Sequence, residues 1–250
     1  MKGHALAVSV LSIIGGLLVW EAASRLFVDN SLFLAAPSQI LLAIVGLAAS
    51  GQLWRHIEIS ALEFALGYVI ASGLGIAMGL LMAESDRAKG ILQPWISGLY
   101  ATPTIALAPL FLLWLGIGIW SKVLVVITLV VFPVVINTEA GLRTTSARLV
   151  EMLRSFGATR AQIFVKLSLP SAAPFVLAGL KLGIGRGLIG VVVAELFGSR
   201  AGLGQLISQS ADSFNMPNLF AAVVVLATAG IAMTAGFTWL ERKLVPWTKD

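Results

Sequence analysis

Six long apolar runs, set apart by polar or charged connections, restrict this chain more than any other feature. They lie at about 5–27, 60–83, 98–115, 119–137, 173–197 and 219–240. A helix of about 20 apolar residues crosses a hydrocarbon core of about 30 Å. Lipid offers no hydrogen bonds, so only helices or a closed barrel can span it. The runs are continuous rather than alternating, which excludes a barrel. Charged residues make up 12% of the chain, half of the roughly 25% usual in a soluble domain. The fold class is therefore an all-α polytopic membrane protein, read as a single domain over 1–250.

The run after Met1-Lys2 continues past Ala22-Ala23-Ser24 into Arg25 and more apolar sequence. That pattern favours a retained first helix over a cleaved signal peptide. With no cysteines, the chain can form no disulfide, thiolate metal site or thiol nucleophile. His4 and His56 lie too far apart in sequence for a histidine metal site. Leu115-Gly116-Ile117-Gly118 forms a tight turn between the third and fourth runs, and Pro103, Pro109 and Pro133 are expected to kink them. Trp20 and Trp114 fit interfacial anchors.

Lysine and arginine set the orientation. One set of flanks carries Lys2, Arg87, Lys89, Arg143, Arg148, Arg154, Arg160, Lys166, Arg242, Lys243 and Lys249; the other carries Arg25, Arg55, Lys122 and Arg200. Lys181 and Arg186 lie within the fifth run. The positive-inside rule then puts both termini and the 138–172 connection in the cytoplasm. Outside lie 28–59, with a helix start at Pro37-Ser38-Gln39 and an apolar stretch to Ala49, and 198–218, with Gly202-Leu203-Gly204 ahead of a polar helix. Two stripes of small residues at four-residue spacing, Gly67-Ala71-Gly75-Gly79 and Gly179-Gly183-Gly187, suit close helix packing within the chain, and either could also line a dimer interface.

Residues 138–172 are too charged to be lipid-embedded and too long to be a mere link. Leu149, Met152, Leu153 and Phe156 recur at helical spacing, flanked by Arg148, Glu151 and Arg154. Gly157 fits a helix C-cap needing positive φ. Thr159 and Gln162 fit a capping box opening a second helix, which Pro170 is expected to stop. A basic amphipathic element of this kind suits a groove on a soluble protein or the surface of anionic lipid.

The spacing of Glu151, Gly157 six residues on, and Leu167-Ser168-Leu169-Pro170 resembles the EAA signature of ABC importer permeases. Met152 and Leu153 stand where the signature has two alanines, and Leu167 where it has isoleucine. The likeness spans nearly the whole chain and is to the aliphatic sulfonate, taurine and nitrate branch. It is carried by Pro37-Ser38, Leu53-Trp54-Arg55-His56, Pro103 to Pro109, Leu113 to Gly118, Phe132-Pro133, Asn137-Thr138, Ala194-Glu195, Gly202-Leu203-Gly204, Leu240-Glu241-Arg242 and Trp247. Glu63 departs from it, since the branch usually has arginine there.

The resemblance implies a type I ABC importer (MetI-like) fold: a single permease domain with its core over about 60–245 and a coupling loop at 138–172. It implies a homodimer of such chains in the bacterial inner membrane, two cytoplasmic ATPase subunits and an extracytoplasmic solute-binding protein, with no nucleic acid partner. Glu151, Met152, Leu153, Gly157, Ala158 and Pro170 would couple the chain to the ATPase. ATP and Mg would belong to the ATPase, leaving this chain non-catalytic and without a cofactor, in keeping with the lack of a G-x-x-x-x-G-K-[ST] motif.

Ionisable residues inside a span are site candidates by default. Arg186 falls near mid-membrane and suits either an anionic substrate such as a sulfonate or a packing partner. Lys181 can snorkel toward the cytoplasm. Glu195 lies nine residues from Arg186, about 13.5 Å along a helix and on the opposite face, so it fits an external gate or a partner on another span. Two other functions compete. A self-contained carrier or channel needs inverted repeats or its own ion-coordinating pore. An intramembrane enzyme needs a clustered acid–base or metal set. The chain has none of these signatures.

Overall fold

The computed structural model describes the backbone of residues 2–26 and 34–248, with side chains over 8–26 and 34–247. Phe27 and Lys249, and the side chains of Lys2 and His4, lie outside the described residues. The longer helices are α1 (Lys2–Leu26), α2 (Pro37–Ala49), α3 (Gln52–Glu84), α4 (Asp86–Ala101), α5 (Ala108–Leu115) and α6 (Ile119–Arg143). They continue with α7 (Ala147–Ser155), α8 (Arg160–Ile163), α9 (Leu169–Gly198), α10 (Leu203–Asp212) and α11 (Met216–Leu244). No strand occurs among the described residues.

Five of these helices are long and apolar enough to cross a membrane, and a sixth crossing is possible if the bent pair 86–115 counts as one span. That pair departs from the expected kinked helix at 98–115. It begins twelve residues earlier, where Ser85 caps α4 by accepting the Ala88 amide at 3.2 Å. It then breaks at Thr102-Pro103, turning by 85° before Thr104–Leu115. Proline cannot donate its amide and pushes the preceding residue to extended backbone; Thr102 accordingly sits at ψ 138°. Pro109 occupies the first turn of α5, where a missing amide costs nothing. Pro133 lies inside α6, which runs unbroken to Arg143.

The helices group into two compact units. The first comprises Met1–Ser60 and Arg200–Ala227, the second Ala61–Ser199 and Thr228–Asp250. In the first, α2 starts where Gln39 accepts the Ala36 amide at 3.0 Å. Its Ile40 and Leu47 join Leu53, Leu203, Leu206, Ala221 and Ala222 in one core. The Gly202-Leu203 backbone is held there: the Gly202 amide donates to His56 Nδ1 at 3.0 Å and the Leu203 amide to Ser60 Oγ at 2.8 Å. Glu21 finds its partners in Arg25 and in the amide and hydroxyl of Ser38.

In the second unit α6 is central and buried along much of its length. Both small-residue stripes are spent on it. A Cβ added at Gly67, Gly75 or Gly79 of α3 would lie 2.5–2.7 Å from the Cβ of Val126, Val134 or Thr138. On the other side, a Cβ at Gly179 or Gly183 of α9 would come within 2.8–3.0 Å of Asn137 or Val130. The stripes thus let α3 and α9 close on α6, the packing expected within the chain. Phe64, Val126, Val130, Val134, Ile184 and Val191 fill the space between.

Candidate functional site

The segment after α6 adopts the predicted shape. α7 ends in a paired cap: the Gly157 amide donates to the Arg154 carbonyl at 2.9 Å and the Ala158 amide to the Leu153 carbonyl at 3.0 Å. This pattern needs a left-handed residue at its pivot, and Gly157 supplies φ +79°. The next helix opens with the predicted capping box. Thr159 Oγ1 accepts the Gln162 amide at 3.3 Å, and Gln162 Oε1 accepts the Thr159 amide at 2.8 Å.

Pro170 does not stop this helix as expected. Its amide would have been needed one turn back. Instead a π-turn over Phe164–Ser168 shifts the register, and Pro170 falls in the first turn of α9, where no donor is required. The chain therefore runs helically from Arg160 to Gly198.

No residue of α7 is buried. Met152 is 47% exposed, Phe156 79% and Leu149 42%. A surface helix normally buries its apolar face, whereas this one leaves its face uncovered among the described residues. Glu151 is exposed beside it and forms no ion pair among the described residues. Leu153, Phe156, Gly157, Ala158, Gln162 and Lys166 line an open hollow of about 300 Å³ on the same element.

The structure separates the three intramembrane candidates. Arg186 is exposed; its Nη2 donates to the Tyr100 hydroxyl at 2.9 Å and its guanidinium lies 5.0 Å from that ring's centroid. No carboxylate pairs with it among the described residues. Lys181 lies 3.7 Å from Glu241 of α11, an ion pair between two spans. Glu195 is fully buried and meets Glu63 of α3, with Lys122 of α6 beside them. Glu63 and Lys122 are each 3% exposed. Lys122, counted above as a flanking charge, is thus an interior counter-charge. It offsets the cost of burying two carboxylates on adjacent spans.

Sequence reasoning missed two groups. Tyr100 stands outside every motif, and only the fold brings it to Arg186. Glu139 joins Lys89 and Arg143 at 2.8 and 2.6 Å; its spacing of four from Arg143 on one helix was a legible signal, obscured because both cations had been read only as topology markers.

Residues 71–250 match the family model described as binding-protein-dependent transport system inner membrane component. The chain is 34% identical to the formylaminopyrimidine transport permease protein of Halalkalibacterium halodurans, over 93% of this chain and 92% of that protein. It is 35% identical to a putative aliphatic sulfonates transport permease protein of Bacillus subtilis, over 99% and 87%. It is 31% identical to the taurine transport system permease protein of Escherichia coli, over 97% and 89%. Among solved structures, the inward-facing MetNI methionine ABC transporter superposes with TM-score 0.60 at 18% identity, covering 78% of this chain and 95% of that one. An amino acid ABC transporter gives TM-score 0.59 at 20% identity, covering 80% and 97%. Both share the fold.

Proposed function

The chain belongs to the family of binding-protein-dependent transport system inner membrane components, and from that membership we propose that it works as one half of a homodimeric ABC importer permease, driven through α7 by two ATPase subunits. It is a multi-pass inner-membrane permease subunit, and family membership brings ATPase and binding-protein partners in general. The pairing of identical chains, the cytoplasmic placement of both termini and the roles of single residues are our reading.

The observation that carries this reading is the exposed apolar face of α7, aimed by a capped turn. Leu149, Met152 and Phe156 stand out from a helix with no buried residue. Gly157 and the Thr159–Gln162 box set the angle at which this helix leaves the next. Such a face fits a groove on a soluble protein. Glu151 lies at its rim, Met152 on it and Leu153 and Ala158 against the hollow behind it. Closure of the ATPase pair on ATP then swings α7 and re-orients the spans, a two-state element biased by a ligand of another subunit. ATP and Mg belong to that subunit, and this chain contributes no catalytic group.

The cargo is a small organic anion, with sulfonates the first class to try. Two observations support this: relatives named for sulfonates and taurine, and Arg186, an exposed guanidinium within a span whose partners are a phenol hydroxyl and ring. A charge there cannot face lipid cheaply, so it turns to a water-filled path or to protein. Detergent extraction of the tagged chain from its native membrane should recover an ATPase subunit. Solute uptake by the chain alone in liposomes, without ATP, would instead establish a self-contained carrier and end this reading.

A further inference from the structure

Four charged residues join the end of α6 to the corner between α3 and α4. Glu139 Oε1 accepts from Lys89 Nζ at 2.8 Å and lies 2.6 Å from Arg143 Nε. The other arm of Arg143 donates to Asp86 Oδ1 at 3.0 Å and to the Met82 carbonyl at 3.1 Å. Glu139 is the most enclosed of the four: its side chain is 13% exposed, against 34% for Lys89, 36% for Arg143 and 94% for Asp86.

The cluster sits beside the proposed driving element. Only 144–146 separate Arg143 from α7, and that link is tight. The Thr144 amide donates to the Ala140 carbonyl at 3.1 Å, its hydroxyl to the Gly141 carbonyl at 2.7 Å, and the Thr145 amide to the Leu142 carbonyl at 3.3 Å. On the side toward the end of α3, α7 is not close-packed. An open hollow of about 300 Å³, lined by Glu84, Val150, Arg154, Arg160 and Phe164 among others, lies between it and the end of α3. A push on α7 passes through the Gly157 turn into α8, and through the 144–146 link into the end of α6.

From there the load has two routes to α4. Met82, Ile96, Phe132 and Val135 form an apolar contact, whose attraction is non-directional. Charge-assisted hydrogen bonds fix geometry. The Lys89–Glu139 pair thus holds the axial register of α4 against α6, and the first segment of the pair bent by 85° at Thr102-Pro103 is α4 itself.

We propose that Glu139 is a positioning residue for transport, the strut through which motion of α7 reaches α4 and the bent pair behind it. This rests on the reading of α7 as the ATPase-docking helix.

The test uses the assembled complex of permease, ATPase and binding protein in proteoliposomes, with solute imported per ATP hydrolysed as the readout. Glu139→Gln, which keeps size and removes charge, should lower that ratio by about fivefold or more, the lower range of inter-site coupling. Recovery of the ATPase with the permease should not change. Lys89→Met should lower the ratio in the same direction, and Glu139→Asp should restore part of it. A Glu139→Gln complex with the wild-type ratio overturns the proposal. So does a loss of assembly and thermal stability that parallels the loss of ratio and is not relieved by aspartate, which marks a purely structural residue. If the wild-type chain recovers no ATPase, the α7 reading itself fails. If the wild type couples normally and Glu139→Gln does too, only the strut fails.

Discussion

Glu151 and Arg186 are both exposed charges without an ionic partner among the described residues, and the proposed function gives each a partner outside the chain. Glu151 lies on a helix that buries nothing. Reversing its charge changes no internal contact beyond its own backbone, whose carbonyl accepts from Ser155 at 3.1 Å. Glu151→Lys should therefore leave expression intact and lower substrate-stimulated ATPase activity in the reconstituted complex; unchanged stimulation would remove Glu151 from the docking surface. Arg186→Ala removes the guanidinium held on Tyr100 and should lower uptake of an anionic cargo at least about tenfold, the loss expected from roughly 1.4 kcal/mol of charge-assisted binding. Normal uptake by that variant would assign Arg186 to packing. Glu151 and Gly157 were legible from spacing, because a cap and a motif are local. Tyr100 met Arg186, Glu63 met Glu195 and Glu139 met Lys89 only once separate helices were brought together.

Between helices, packing is decided by atoms that are missing. α3 and α9 approach α6 through glycines, and lipid supplies no hydrophobic drive to force them together. Gly75→Val puts a branched side chain where even a single Cβ would meet Val134 Cβ at 2.7 Å and the Val131 carbonyl at 3.0 Å. Overpacking of this kind costs about 1–3 kcal/mol and should lower the melting temperature in detergent. Gly73→Ala, two residues away with open space around its Cβ position, should leave it unchanged and so serves as the control. The departures from expectation at prolines share one cause. Proline's effect depends on which turn it occupies. Pro103 broke its span because its predecessor had to be extended. Pro109 and Pro170 entered first turns and were harmless, the latter only because a π-turn had shifted the register.

For the chain as a whole, orientation is the property on which the coupling scheme depends. Removing the buried Lys122 from the flanking charges sharpens the asymmetry without changing its direction. The chain has no cysteines, so single cysteines report orientation without background. In intact cells Phe156→Cys should resist a membrane-impermeant thiol reagent, whereas Arg200→Cys should react; the opposite pattern would invert the topology and leave α7 out of an ATPase's reach.

From its sequence alone this chain was determined to be helical, membrane-spanning and equipped with a capped basic segment at 151–170. Those properties follow from composition, run length and contacts within a few residues, which need no fold to be expressed. Tertiary structure alone decided which charges share a site. It set Arg186 on Tyr100, Lys181 near Glu241, Glu195 on Glu63 with Lys122 beside them, and the end of α6 onto α4 through Glu139. The reason is geometric: these partners lie between 50 and 132 residues apart in the chain, and no periodicity along one helix encodes which faces of two helices will meet.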